Sequence, residues 1–155
     1  MNRLTRVAAA CVLAVSIASP ALACGMPPPY VQDFQKHPAV IYSGEKKPVD
    51  FTSHPAAAAL GDADKEKVRK AAESGPNFAG TYRIVYASCG EKCNTMLMVN
   101  LETGKVFGLP AEKNAFANFR ANSRFIVIRS QGGEAKFFVF NGKDFQPTKS
   151  TRADS

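Results

Sequence analysis

The apolar residues of this chain are grouped into short runs, most of them in its second half. Four runs are rich in β-branched, aromatic and aliphatic side chains: residues 82–87, 96–101, 124–129 and 135–140. Runs of this length and composition predict β-strands. Apolar residues occupy both alternating faces of these runs, whereas a strand with one solvated face would carry polar residues at every second position. We therefore expect the second face of the sheet to be covered as well. The available covers are a predicted helix at residues 62–74 and a proline-rich segment at residues 24–61.

Turn signals and an internal similarity organise these runs. The triplet ETG at residues 102–104 and the pair Asn141-Gly142 each predict a tight hairpin. RIVYAS at residue 83 resembles FIVIRS 42 residues later, and MLMVN at residue 96 resembles FFVFN 41 residues later. This period is that of a propeller blade, but two blades cannot close a ring. The simpler prediction is one antiparallel sheet of about six strands. The similarity has two possible explanations, a true internal repeat or two hairpin units that arose independently.

One α-helix is predicted over residues 62–74. Asp62 can cap its first amides, further acidic residues follow in the first turn, and Gly75-Pro76 ends it. Its apolar stripe is thin, which predicts close packing on a sheet through small residues. The expected fold class is therefore α+β, mainly an antiparallel β-sheet with one covering N-terminal helix.

Composition divides the chain into four segments. Six prolines interrupt residues 24–61, and this density predicts an extended, surface-lying segment with an edge strand near Val40 instead of a long helix. We expect a signal peptide over residues 1–23, the proline-rich extended segment over 24–61, a single α+β domain over 62–150 and a disordered tail over 151–155.

The N-terminal segment has the features of a secretory signal. Two arginines precede an apolar run, and Ala21-Leu22-Ala23 supplies small residues for cleavage. The run is too short for a transmembrane span, and no second apolar segment of sufficient length follows it. The protein is therefore expected to be exported, periplasmic or secreted, with no transmembrane span in the mature chain.

Cys24 would be the first residue after cleavage, the position that bacterial lipoproteins modify with lipid. Ala21 stands where such lipid-attachment motifs usually have leucine, which argues against lipidation. Cysteine parity argues for it, because lipidated Cys24 would leave Cys89 and Cys93 as an even pair in an oxidising compartment. Cys24 is therefore a candidate lipidation site, and a membrane-anchored lipoprotein is the alternative localisation.

Cys89 and Cys93 lie in the sequence CGEKC between two predicted strands. A glycine after the first cysteine permits a sharp turn, so the first interpretation is a local disulfide that stabilises the fold by about 1–2 kcal/mol and fixes the loop. That loop is a candidate binding surface, formed by Ser88, Gly90, Glu91, Lys92 and Asn94.

A redox or metal-binding role for the two cysteines is the alternative. A thioredoxin-like pair has two intervening residues at a helix N-terminus, whereas this pair has three and lies between strands. Metal binding would need further ligands such as His37 and His54, and we expect no metal or cofactor. Both histidines precede proline outside any known catalytic motif, and the chain contains no GxSxG, HExxH or phosphate-binding glycine loop. No catalytic residue is assigned.

Charge bears on the class of partner. The net charge of +7 falls to +5 once the two arginines of the signal are removed. Between residues 82 and 152 the chain has 11 basic and 5 acidic residues, which suits an anionic envelope component or an acidic protein, although a solvated basic surface has the same composition. Export and the absence of a nucleic-acid motif argue against nucleic acid as a partner.

The stretch from residue 75 to residue 106 resembles a family of small exported bacterial proteins without an assigned function. The matching residues are GPNFAG at 75–80, Tyr82, Cys89-Gly90, Cys93 and TGKV at 103–106. Three positions depart from the pattern: Thr81, Ala87 and Ser88 stand where it has histidine, tryptophan and glycine. The resemblance supplies no activity, ligand or partner. We expect an exported, non-catalytic binding protein of the periplasm or cell envelope, with the redox or metal-binding role as the alternative.

Overall fold

The computed structural model describes residues 29–150. The predicted signal peptide, Cys24 and the predicted C-terminal tail lie outside the described residues. The described part is β-rich and of the expected α+β class, with antiparallel pairing throughout its named strands. Its strands are β1 (Tyr82–Gly90), β2 (Cys93–Asn100), β3 (Val106–Gly108), β4 (Phe116–Phe119), β5 (Phe125–Arg129), β6 (Ala135–Phe140) and β7 (Phe145–Thr148).

These seven strands form two sheets, where the sequence predicted one sheet of about six strands. Sheet A has the order β1-β2-β3, and sheet B has the order β4-β5-β6-β7. Short turns determine pairing within each sheet, but the longer connection from β3 to β4 carries no local signal that decides whether the next strand extends sheet A or starts a second layer. The sequence also does not predict β4, which completes sheet B.

The two sheets pack face to face around a shared core, as in a β-sandwich. Ile84 and Met98 of sheet A and Ile126 and Phe138 of sheet B are buried in it. Ile84 corresponds to Ile126 in the internal similarity, so β1 and β5 meet through equivalent faces. The similarity does not extend to the faces of β2 and β6, because Met98 corresponds to Val139, which packs on the outer face of sheet B. Neighbouring propeller blades instead stack the front of one sheet on the back of the next, so this packing is not that of a propeller.

Helical segments precede β1 in the chain. The helix predicted over residues 62–74 is confirmed, but Gly61 occupies the N-cap position without a side-chain hydrogen bond, and Asp62 is the first helical residue. None of the helices between residues 29 and 150 has the length and apolar content needed to cross a membrane. The segments are the 3-10 turns Pro29–Gln32 and Phe51–Ser53 and the helices α1 (Asp33–Lys36), α2 (Pro55–Ala58) and α3 (Asp62–Glu73).

These segments cover the outer faces of both sheets, as expected for strands that are apolar on both sides. Val68 of α3 packs with Val85 in a core on sheet A, to which α2 also contributes. Phe34 of α1 packs on Phe125 of sheet B, with ring centroids 5.2 Å apart in an edge-to-face arrangement. The prediction of a single covering helix is therefore wrong, because the proline-rich segment, the other expected cover, contributes the short helices α1 and α2.

Residues 38–50, which we call the strap, run extended across the end of the sandwich where β1 begins. Four of the strap's backbone amides donate to carbonyls on the turns of both sheets at 2.8–2.9 Å. Gly80 and Gly104 have φ of 78° and 77°, and a Cβ on either would overlap the carbonyl of Val40 or of Pro48. Both positions therefore require glycine. The strap is extended as expected, but the edge strand near Val40 is not formed.

The two similar units end in the same turn chemistry. The Oδ1 atom of Asn100 accepts hydrogen bonds from the backbone amides two and three residues further on, at 2.9 and 3.1 Å. The Oδ1 atom of Asn141 does the same at 2.9 and 2.8 Å. Both hairpin turns predicted from the sequence are thus formed, each held by an asparagine at the end of its strand.

Candidate functional site

The β1–β2 hairpin ends in an exposed tip that is closed by a disulfide between Cys89 and Cys93, which confirms that prediction. The Cα atoms of the two cysteines are 5.1 Å apart. The strand register becomes irregular after Ser88, and Gly90 pairs with Cys93. The two residues between that last pair form the turn, and both are exposed.

Helix α3 and a local network of hydrogen bonds fix the backbone of the tip. The backbone amide of Ser88 donates to Oδ1 of Asp64 in α3 at 3.4 Å. The amide of Gly90 donates to Oγ of Ser88 at 3.4 Å, and that hydroxyl donates to the Gly90 carbonyl at 3.2 Å. An acidic residue in the first turn of α3 therefore anchors the hairpin to the helix as well as favouring the helix dipole.

Asn114, in the connection between β3 and β4, attaches the tip to sheet B. The amide of Asn94 donates to Oδ1 of Asn114 at 2.7 Å, and the amide of Asn114 donates to the Asn94 carbonyl at 2.8 Å. Nδ2 of Asn114 also donates to the Lys92 carbonyl at 3.3 Å. The φ of Asn114 is 59°, a left-handed conformation that asparagine tolerates better than most residues. The sequence does not point to this role, because the partners lie 20 and 22 residues away.

Two aromatic residues, Tyr86 and Phe116, line a cleft beside the anchored tip. The Tyr86 hydroxyl accepts a hydrogen bond from the Ala117 amide at 3.0 Å, which links β1 to β4. Phe116, the first residue of β4, is 65% exposed. We call the surface around this pair the tip platform. It borders a cleft of about 380 Å³ and consists of Tyr86, Lys92, Asn94, Asn114, Phe116 and Gln131.

A second cleft, of about 520 Å³, lies between the tip and the corner where α2 meets α3. Ser88, Cys89 and Gly90 line it from the hairpin, and Leu60 and Asp64 line it from the helical side. The tip is therefore flanked by two concave surfaces, one against the helices and one against sheet B.

The five residues predicted as a binding loop are divided between these surfaces. Lys92 and Asn94 belong to the tip platform, whereas Ser88 and Gly90 line the second cleft. Glu91 is exposed at the turn and lines neither. The aromatic residues of the platform are not identified from the sequence, because an exposed aromatic residue in a strand has the same local pattern as a core residue.

No family model, curated protein or solved structure matches this chain. The residues on which the sequence resemblance rests are largely ones that build the fold. Asn77 pairs with the backbone of Ile84 through both atoms of its amide, at 2.7 and 3.0 Å. Phe78 is fully buried in the shared core, and Gly80 lies beneath the strap. The disulfide is the part of the pattern that reaches the surface at the tip.

The two histidines lie away from the cysteines. The His37 ring stacks on Phe125, with centroids 5.9 Å apart. Nδ1 of His54 accepts a hydrogen bond from the Ala56 amide at 3.2 Å and caps α2. Within residues 29–150, no group of three or more His, Cys, Asp or Glu side chains is arranged to hold a metal ion. The described residues therefore give the sulfurs no histidine partner.

Proposed function

We propose that the protein is an exported, non-catalytic binding protein of the periplasm or cell envelope, and that the tip platform is its contact surface for another protein. The observation behind this assignment is Phe116, which is 65% exposed beside Tyr86. The surface around it is held by the disulfide and by the hydrogen bonds of Asn114. Export itself is supported by the N-terminal sequence.

The platform has the physical properties of an interaction centre. An exposed aromatic ring that a partner removes from water contributes about 2 kcal/mol or more to binding. The disulfide and Asn114 already order the backbone, so little conformational entropy is lost when the partner binds. Asn94 and Gln131 are exposed at the edge, where their amide groups can form hydrogen bonds to the partner.

Charge favours an acidic partner. Lys92 lies on the platform, Lys113 lines the second cleft, and the chain without its predicted signal carries a net charge of +5. Complementary charge raises both the association rate and the specificity for a partner of opposite sign. An acidic envelope protein or an acidic secreted effector therefore fits better than a basic one.

Redox or metal binding by Cys89 and Cys93 is the alternative proposal. It has less support, because the cysteines lie on a strand hairpin instead of a helix N-terminus and no histidine among the described residues approaches them. Native mass measurement under non-reducing conditions separates metal binding by the two cysteines from a disulfide between them. A bound metal adds its own mass, whereas the disulfide alone lowers the mass by that of two hydrogens.

The disulfide-intact protein and two matched variants test the platform. Phe116→Ser removes the exposed aromatic ring, and Val40→Ser removes a 91% exposed apolar side chain from the strap at the other end of the sandwich. Each protein is immobilised and exposed to envelope and secreted fractions of the organism that encodes it. A retained protein is then purified and titrated against all three by calorimetry.

We expect a partner that binds the wild type and Val40→Ser equally and binds Phe116→Ser about tenfold to thirtyfold more weakly. If Phe116→Ser bound every identified partner as tightly as the wild type does, the assignment of the tip platform as the contact surface would be wrong. Turnover of a substrate by the purified protein, abolished by a single substitution, would contradict the non-catalytic role.

A further inference from the structure

A third cleft, of about 530 Å³, opens toward the end of the sandwich opposite the tip. It lies between the edge strand β3 and the turn that joins β6 to β7. The tip platform does not include it. Its volume is in the range of small-ligand sites, which are about 300–1,000 Å³ and mostly apolar with a few polar groups.

The floor of this cleft is the shared core, exposed at the sheet edges. Met98 and Phe140 are buried, and Phe107, Leu109 and Phe145 are partly exposed above them. The strand β3 has three residues and β7 has four, so neither edge extends far enough to close the gap between the sheets. An aromatic and aliphatic surface is thereby accessible from solvent.

The rim of the cleft carries two cationic groups. Lys105 follows the β2–β3 turn and Lys143 lies in the β6–β7 turn. Among residues 29–150, neither ammonium group lies within 4.0 Å of a carboxylate oxygen. Asp144 is the one acidic residue that lines the cleft in the described chain, so the lining residues carry a net charge of +1. Asp50 lies outside the lining and interacts electrostatically with Lys105. The net positive charge of the lining residues favours a ligand with a single negative charge.

His54 adds a hydrogen-bond donor to the wall. Its Nδ1 atom accepts the hydrogen bond from the Ala56 amide, so the neutral ring carries its proton on Nε2. The Nε2 atom lies against Gly108, 3.0 Å from the position that a Cβ on that residue would take. The Nε2–H group therefore lies beside β3, among the residues that line the cleft, and is not used in capping the helix.

We propose that this cleft binds a small amphiphilic anion, a monocarboxylate with an aliphatic or aromatic body. The body covers the exposed parts of Phe107 and Phe145 and displaces water from them. The carboxylate lies at the rim formed by Lys105 and Lys143, where charge-assisted hydrogen bonds favour a negative head group over a neutral or positive one.

Three probes with the same eight-carbon chain test the proposal: octanoate, 1-octanol and octylammonium. Each is titrated into the isotope-labelled, disulfide-intact protein, and backbone amide shifts in NMR spectra give both the affinity and the location. The double variant Lys105→Gln/Lys143→Gln removes both rim charges. Lys67→Gln/Lys149→Gln removes two exposed lysine charges that line neither this cleft nor the tip platform, and is the matched control.

Octanoate should bind saturably and shift the amides of Gly108, Leu109 and Lys143, with octanol about tenfold weaker and octylammonium weaker still. The double variant should weaken octanoate binding about tenfold and leave octanol unchanged. Lys67→Gln/Lys149→Gln should bind all three probes as the wild type does. Equal affinity for the three probes, shifts centred on the tip, or no saturable binding of octanoate would each overturn the proposal.

Discussion

Replacement of Gly104 by alanine tests how the strap is held on the sandwich. Gly104 is buried with φ of 77°, and its carbonyl accepts the Asp50 amide at 2.9 Å. An added Cβ would overlap the carbonyl of Pro48, so the strap has to move away. Gly142 has φ of 98° in the corresponding turn of the second unit, with no atom within 4 Å of such a Cβ. Gly142→Ala is therefore a matched control that adds backbone strain without the overlap.

The two variants should differ clearly in stability. A left-handed conformation costs alanine about 1–2 kcal/mol, and both variants carry that cost. Gly104→Ala adds about 1–3 kcal/mol for the displaced backbone and about 1 kcal/mol for the weakened Asp50–Gly104 hydrogen bond. We expect the free energy of unfolding to fall by about 1–2 kcal/mol in Gly142→Ala and by about 3–6 kcal/mol in Gly104→Ala.

Guanidinium denaturation followed by far-ultraviolet circular dichroism measures these free energies, since the chain contains no tryptophan. Trypsin cleavage after Lys46 reports whether the strap has detached under native conditions, because the bond after Lys47 precedes Pro48 and is resistant to trypsin. This cleavage should accelerate in Gly104→Ala alone. Equal destabilisation of the two variants, together with unchanged cleavage of the strap, would refute the argument that close approach at Gly104 holds the strap in place.

Three further predictions concern the core, the tip and alkaline stability. Phe78→Ala should lower the free energy of unfolding by about 3–5 kcal/mol, because its fully buried ring packs among phenylalanine rings of sheet B; a loss below about 1 kcal/mol in chemical denaturation would contradict this role. Replacing Cys89 and Cys93 by serine should cost only about 1–2 kcal/mol, because the disulfide closes a short loop, and a loss of global folding in circular dichroism would disprove a local role. Burial raises the pKa of Tyr82 above its usual value of 10.0, so the folded state keeps the phenol proton to higher pH than the unfolded state. The free energy of unfolding should therefore fall as the pH rises from about 10 through the folded pKa, and Tyr82→Phe should lack that part of the fall in denaturation curves measured across this range.

The features predicted correctly from the sequence have causes within a few residues. Helix α3 ends before Gly75-Pro76, where the chain cannot continue a helix. Each asparagine turn is held by amides two and three residues further on. Cys89 and Cys93 are four positions apart, so a hairpin between two strands is enough to bring their sulfurs together. Such signals are readable because the interacting groups are close along the chain.

The candidate site was only partly predictable, because some of its residues are far apart along the chain. The hairpin tip follows from the strands and the glycine between them, and Lys92 and Asn94 were identified with it. Asn114 and Phe116 join the tip only because the β3–β4 connection returns across the end of the sandwich. The exposure of Phe116 depends on which face of β4 the packing leaves open, and a strand residue gives no local indication of that face.

By itself, the sequence determined the α+β class, the helix before β1, the hairpin turns, the local disulfide and the need to cover both faces of the strands. Only the tertiary structure decided that the strands divide into two sheets, that the Ile84 face of β1 and the Ile126 face of β5 enter one shared core, and which sheet each covering segment lies on. Local turns specify which strands pair, because they bring neighbouring segments together directly. The stacking of sheets and the clefts at their ends arise from burial of apolar surface between residues far apart in the chain, which favours whichever arrangement removes most of that surface from water.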